Sequence, residues 1–289
     1  MNQQLGLILG IAALVLLGLS NSITKIPAKT LGPNKLMFWR GILMTLILGS
    51  VVLITGEFVN FSFKYFLITI AISIIGYIPL YFFLKGMGVG KVGIISPVSS
   101  IYTIFTTFLA VTVYKEKLPP LEIGAIAVII MGTILISVSF RDFKNSHLFQ
   151  KSSGIYYAII AALGWGLYFF LIRIPVMQMG AVLTSYLEET MMLIIVSLIL
   201  IFKKEKFILP KWQPLKPVII IGFLSAAGVL AYYQGIKIYS LSIMTAFSAA
   251  GPLIVCLYGG LVYKERLQLK QYISIVMIVS GIIVLALQA

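Results

Sequence analysis

Residues 113–118 read VYKEKL and residues 262–267 read VYKERL, so nearly the same charged interruption is written twice, 149 residues apart. The register extends outward from that pair. FFLKGMGVGKVG (82–93) lies over AYYQGIKIYSLS (231–242), setting Gly86 on Gly235, and MGTILI (131–136) lies over SGIIVL (280–285), setting Gly132 on Gly281. Earlier in each half the offset is 148: GLSNSITKIP (18–27) matches GLYFFLIRIP (166–175) at Gly18/Gly166, Lys25/Arg173 and Pro27/Pro175. Landmarks kept in one order at a near-constant offset mark an internal duplication.

Of the 289 residues, 60% are hydrophobic and only 10% charged, whereas a soluble domain carries about 25% charged residues. Apolar runs of about 20 residues, the length needed to cross a hydrocarbon core, recur along the chain. They place ten spans near 5–24, 36–55, 65–84, 94–113, 121–139, 154–174, 181–202, 217–236, 242–262 and 271–288. The runs are continuously apolar rather than alternating, which excludes a membrane barrel, and helices satisfy their own backbone in lipid. The first run lacks the basic start and small-residue cleavage site of a signal peptide and is read as the first transmembrane helix.

Five helices per copy is an odd number, so the second copy enters the membrane from the opposite side. The fold expected is all-α and integral to the membrane: ten transmembrane helices as two inverted five-helix repeats, 1–140 and 154–289, joined by a connector at 141–153. Inverted repeats enclosing a midplane site are characteristic of secondary transporters.

With the acid of YKE after the fourth span of each half (Glu116, Glu265), a glycine-containing fifth span, WRG at 39–41, Gly-Ile-Lys at 235–237 and Pro252 in the ninth span, the chain resembles the EamA family of the drug/metabolite transporter superfamily. It departs from that pattern at Lys115 and Lys264, where a glycine usually precedes the acid, and at Thr103, which stands at the place equivalent to Pro252. The resemblance implies transport of small polar metabolites, such as amino acids, sugars, nucleotide sugars or organic cations, often outward. It also implies a central cavity lined by the first, third, fourth, sixth, eighth and ninth helices, with no bound cofactor.

Lys and Arg set an orientation. Assigning each basic residue to the nearer connection, those after even-numbered spans take Lys64, Lys115, Lys117, Arg173 and Lys237, and the other set takes the remaining 17 of 22, with Arg40 near the start of the second span counted among them. The positive-inside rule puts the richer set in the cytoplasm and both termini outside; the resemblance implies the opposite drawing, with termini inside. Dispersed over short loops, the net charge of +14 builds no nucleic-acid footprint.

Ionisable residues within spans are costly and point to a substrate or ion path. Arg40 lies in the second span; Glu188 and Glu189 lie in the seventh, roughly 10–12 Å deep at 1.5 Å per residue. Arg40 and Glu188 share a repeat position, which in inverted repeats puts them near opposite faces and does not imply contact. Neighbouring helical positions diverge by about 100°, so one glutamate is expected to face the site and the other a neighbouring helix or the interface. Proton coupling or substrate binding is one reading of the pair; capping of helix ends or contact with headgroups is the other. Lys25 and Arg173, each two residues before a proline, either meet an anionic substrate group or reach phosphate headgroups, and Lys85 and Lys237 are read likewise. Glu116 and Glu265 are expected to organise the turn before the last helix of each repeat.

The cavity wall is assigned to Asn21, Tyr77, Tyr81, Ser99, Tyr102, Trp165, Tyr168, Tyr232 and Gln234, whose rings could stack on a planar solute or hold a cation; interfacial belts are the competing explanation for Trp and Tyr. Ser100 and Tyr233 accompany them. Gly86, Gly235 and Pro252 are read as hinge or packing positions. Catalysis finds little support. One histidine, His147, and one cysteine, Cys256, supply neither a zinc cluster nor a disulfide within the chain, and phosphate-binding loops are absent. The expected function is a secondary carrier of a small polar metabolite in the cell membrane, with proton coupling through Glu188 or Glu189. The partners are the substrate and the lipid bilayer, and a monomer or homodimer suffices. An exporter of organic cations and a non-transporting receptor or assembly factor are the alternatives.

Overall fold

A computed structural model describes residues 2–137, 154–205, 207, 210, 212–262, 264 and 267–288. The connector with His147, and Glu265, lie outside the described residues. In chain order the elements are α1 (Asn2–Ile23), α2 (Lys25–Leu31), α3 (Pro33–Thr55), a 3-10 turn (Glu57–Asn60), α4 (Phe63–Val89), α5 (Val92–Ser100), α6 (Tyr102–Thr112), α7 (Pro120–Ser137), α8 (Ile155–Met179), α9 (Ala181–Phe202), α10 (Trp212–Ile238), α11 (Leu241–Ala249), α12 (Gly251–Val262) and α13 (Leu269–Gln288). Among the described residues nine helical stretches are long and apolar enough to cross a membrane, counting α5 with α6 and α11 with α12, and Pro120–Ile136 is a shorter apolar helix. Large apolar side chains such as Leu53, Ile54, Phe108, Val276 and Leu287 stand exposed on the outer faces, as a surface turned to a hydrocarbon core requires. The chain is a multi-pass membrane protein.

The fourth and ninth spans, expected as single helices over 94–113 and 242–262, are each broken. The breaks fall at Ile101 and Ala250, the same place in the 149-residue register. Pro252, the second residue of α12, has no N–H to continue the ladder across the second break; Pro97 lies inside α5 four residues before the first break, and the N–H it lacks would have met a carbonyl one turn earlier, so proline does not account for the break at Ile101. Tight turns keep the backbone satisfied, with Ile101 N–H donating to Val98 O at 3.3 Å and Ala250 N–H to Phe247 O at 3.1 Å. Irregular backbone at membrane depth is tolerated where it lines a cavity.

The dominant packings are α1 on α10, α7 on α13, α4 on α8 and α3 on α9. The repeat register organises them reciprocally. A Cβ on Gly18 would sit 2.7 Å from Ile254 and one on Gly166 2.6 Å from Phe105; likewise Gly132 meets Ile278 at 2.8 Å and Gly281 meets Ile129 at 2.6 Å. Each glycine of a pair therefore abuts the repeat counterpart, or its near neighbour, of the residue that the other abuts. The hinge candidates are packing positions on the same plan: Gly86 lies against Ile95 and Gly235 against Met244.

Helix entries are duplicated as well. Gly32 and Gly180, 148 apart, precede α3 and α9 with φ of 75° and 92°. At Gly180 the constraint is double, since a Cβ there would also come within 2.6 Å of Glu57 Oε2. That oxygen accepts the Val182 and Leu183 N–H groups at 3.1 Å each, satisfying two orphan donors at the start of α9. Lys115 and Lys264 share φ values of 56° and 54°. Glycine normally supplies that conformation, so both lysines hold a backbone geometry that L side chains adopt at a cost.

Candidate functional site

One cavity of about 150 Å³ lies among α1, α3, α4, α8, α9, α10 and the α5–α6 and α11–α12 breaks. Its charge comes from three residues. Arg40 Nη2 meets Glu189 Oε1 and Oε2 at 3.4 and 3.5 Å, joining α3 to α9, while the Arg40 Nε is buried without a hydrogen-bond partner. Glu188 is buried beside Tyr168, whose hydroxyl lies 2.7 Å from that of Tyr233. With both carboxylates ionised, the cavity is one negative charge in excess.

Both glutamates line the cavity, contrary to the expectation that only one would. The cavity wraps around α9, so carboxylates leaving the helix about 100° apart reach different walls: Glu189 turns to Arg40 on α3, and Glu188 to Tyr168 on α8. The second and seventh spans therefore join the wall that the family resemblance drew from six other helices.

Aromatic and hydroxyl groups complete the wall. The Trp165 ring stands 5.9 Å from Tyr102 and 4.9 Å from Phe83, and Phe169 stands 4.7 Å from Tyr102 and 5.2 Å from Tyr232. Tyr102 donates to Ser248 at 3.1 Å, Tyr232 pairs with Thr245 at 3.0 Å, and Ser20 pairs with Ser225 at 2.9 Å. These bonds bridge separate elements and fix the rings in place.

Of the residues singled out from sequence, Asn21, Ser99, Tyr102, Trp165, Tyr168, Tyr232, Arg40, Glu188, Glu189 and Pro252 meet at this cavity, and Tyr77, Tyr81 and Gln234 stand outside its wall. Helical periodicity explains the three. The wall stripe of α4 is Gly76, Leu80, Phe83 and Leu84, so Tyr77 and Tyr81 occupy the neighbouring stripe, stacked on each other at 5.8 Å, with Tyr77 donating to Asn34 at 3.0 Å. Gln234 is about 200° around α10 from Tyr232. Ser20, Thr24, Ser96, Phe169, Ser225 and Ser248 also line the cavity and were missed; the hydroxyls among them carry little signal in an apolar helix, since each can satisfy itself on a carbonyl one turn back, and Phe169 is one apolar ring in an apolar run.

The repeated YKE motif acts at a second place. Against the expectation that Glu116 organises the turn before the last helix of its repeat, its carboxylate reaches across to the other repeat. It ion-pairs with Arg173 of α8 and accepts from Leu241 N–H at 2.8 Å, Ser242 N–H at 3.2 Å, Ser240 Oγ at 3.1 Å and Ser242 Oγ at 2.7 Å. Tyr114 donates to Phe170 O at 2.9 Å and lies under the Arg173 guanidinium. Arg173 thus meets a carboxylate rather than headgroups. Burial pushes the Glu116 carboxyl up, but the Ser242 hydroxyl, the Leu241 N–H and Arg173 together outweigh it and hold the group below its ordinary value. Lys25, the counterpart of Arg173, is exposed.

The EamA-like transporter family matches the chain twice, over residues 4–138 and 152–287. A protein of Archaeoglobus fulgidus named as an uncharacterized transporter is 23% identical over 196 residues, covering 68% of this chain and 66% of its own length. An uncharacterized protein of Methanocaldococcus jannaschii is 35% identical over 94 residues, covering 32% of this chain and 69% of its own. A solved crystal structure superposes with a TM-score of 0.76 at 15% identity, covering 98% of this chain and 97% of the other, which is a likeness of fold.

Proposed function

The chain belongs to the EamA-like transporter family, part of the drug/metabolite transporter superfamily, and from that premise we propose that it is a secondary carrier of a small polar metabolite, an amino acid or close analogue. It works by alternating access, with proton coupling through Glu188. The observation that carries the reading is the buried charged trio, Arg40, Glu188 and Glu189, inside a cavity walled by both repeats. Intramembrane charges are kept for a pathway or a ligand. The Arg40 Nε without a partner suits a carboxylate, and Glu188 suits an ammonium or a proton. A cavity of about 150 Å³ is the size that admits benzene, so the solute is small.

The reciprocal glycine contacts support two inverted five-span repeats, with Pro120–Ile136 as the fifth span of the first. The Lys and Arg distribution favours a cell-membrane protein with both termini outside. The excess carboxylate together with the Tyr102, Trp165, Phe169 and Tyr232 rings favours a second reading, an exporter of organic cations.

Thermal stability of the purified protein against amino acids and their decarboxylated amines separates the two. A ligand at 100 times its Kd stabilises by about 2.7 kcal/mol. Stabilisation by the amino acids alone supports the first reading, by the amines alone the second, and by neither class speaks against both.

A further inference from the structure

Glu116 holds together elements that a rocking carrier must separate. It sits in the first repeat, and every partner listed above sits in the second: Arg173 near the end of α8, and Ser240, Leu241 and Ser242 at the start of α11. The left-handed turn at Lys115, with Glu116 N–H donating to Ala110 O at 3.2 Å, aims the carboxylate across that boundary. Only 9% of its side chain is exposed although it belongs to a connection between helices.

The position of the cavity gives the contact its meaning. The wall includes Thr24, Leu36, Leu84 and Ser96, which lie within about five residues of the ends of α1, α3, α4 and α5 at one membrane face. At the other face the helix ends are held by carboxylates from the opposite repeat, Glu57 on α9 and Glu116 on α11. Ser248, the first wall residue of α11, is seven positions beyond Leu241, about 10 Å along the helix. The wall comes nearest that face at Tyr233, five positions before the end of α10, whereas at the opposite face it reaches Thr24 just past the end of α1, so the room for a solute is displaced away from the face that Glu116 secures.

We propose that Glu116, with Arg173 and the start of α11, is the gate latch of that face, closed in this structure and broken when the cavity opens there. On the Lys and Arg count this is the outer face. The inference rests on the alternating-access reading given above. A latch should stay charged throughout the working range, and the depressed carboxyl of Glu116 does so; the motion of the two repeats, rather than pH, releases it. The repeated YKE motif is then explained in its first copy as a clasp between halves.

The test is two-sided thiol labelling. In a Cys256→Ser background, Asn21→Cys places one thiol on the cavity wall, and Val59→Cys, exposed on the turn after α3, reports separately which side of the membrane the latch face occupies. An impermeant maleimide is applied to intact cells and to inverted vesicles. Asn21→Cys is expected to react from the face opposite the latch. Glu116→Gln should raise its labelling from the latch face about tenfold, the factor that accompanies loss of one charge-assisted hydrogen bond. Arg173→Gln, which leaves the helix cap in place, should act in the same direction and replaces Glu116→Gln if that variant does not accumulate. Unchanged latch-face labelling in a variant with lowered thermal stability would make Glu116 a structural cap only and overturn the proposal, as would labelling of Asn21→Cys with Glu116 intact that is as fast from the latch face as from the opposite face. Labelling needs no substrate, so its failure leaves the carrier reading standing, and absent flux leaves the accessibility result standing.

Discussion

Replacing Arg40 with Gln removes the cation from a buried cluster and leaves Glu189 without its partner. The side chains of Arg40 and Glu189 are 13% and 5% exposed, and breaking a buried pair from one side costs about 3–5 kcal/mol. Two features set the cost at the lower end: the contacts are long, 3.4 and 3.5 Å, and the Arg40 Nε is already unpartnered, so its loss relieves a buried donor. The expected destabilisation is about 3 kcal/mol, or a Tm drop of about 6–12 °C at the 2–4 °C per kcal/mol of a chain this large. In the double variant R40Q/E189Q both charges are gone, and at least about 2 kcal/mol should return. R40Q/E188Q should recover less than R40Q/E189Q, because Glu188 makes no direct contact with Arg40 and its neutralisation relieves only the like charge it shares with Glu189. Thermal unfolding of the wild type, the three single variants and the two doubles gives both coupling energies. Recovery in R40Q/E188Q without recovery in R40Q/E189Q would refute the pairing and the division of roles between the two glutamates.

Lys115→Gly relieves a left-handed conformation that costs a non-glycine residue about 1–2 kcal/mol. Against the extra entropy of glycine, about 0.5–1 kcal/mol, it should stabilise by up to about 1 kcal/mol in chemical or thermal melts. Gly180→Ala should destabilise by about 2 kcal/mol or more, since it combines a φ of 92° with a Cβ at 2.6 Å from Glu57 Oε2, while Gly124→Ala, with nothing within 4 Å, serves as the tolerated control. For Glu116 a depressed carboxyl contributes stability that is fully present above the ordinary value of 4.5 and is lost as pH falls through the lower folded value. The titratable groups that interact with it are Arg173, Tyr114, Glu122 and Tyr232. Melts between pH 5 and pH 8 should therefore differ between wild type and Glu116→Gln by a constant offset, and only below about pH 4.5 should the two curves converge.

The duplication was legible because its landmarks are glycines, prolines and charges, which stand out against an apolar background. The same register later located the breaks at Ile101 and Ala250 and the entries at Gly32 and Gly180. The breaks themselves were hidden, since hydropathy reads composition and not whether a proline-containing run continues as one helix. Arg40 and the glutamates stood out as charges at depth. Which glutamate takes the arginine was not legible, because that depends on which wall each reaches around α9. Glu116 was visible as half of a repeated motif, yet its partners lie 57 and about 125 residues away, a separation that local pattern does not encode. Tyr77, Tyr81 and Gln234 were misplaced for a simpler reason: a turn of one or two residues about a helix moves a side chain from the cavity to a neighbouring interface.

The central claim, that the charged cavity carries a small polar metabolite in exchange with protons, is tested most directly by flux in proteoliposomes. A panel of amino acids is presented under an imposed pH gradient to wild type and to Glu188→Gln. The account predicts saturable, gradient-driven uptake of at least one zwitterion by the wild type, with Glu188→Gln retaining counterflow exchange but losing the response to the gradient. Gradient-driven uptake that is undiminished in Glu188→Gln, or wild-type vesicles that accumulate no solute above protein-free controls, would contradict it.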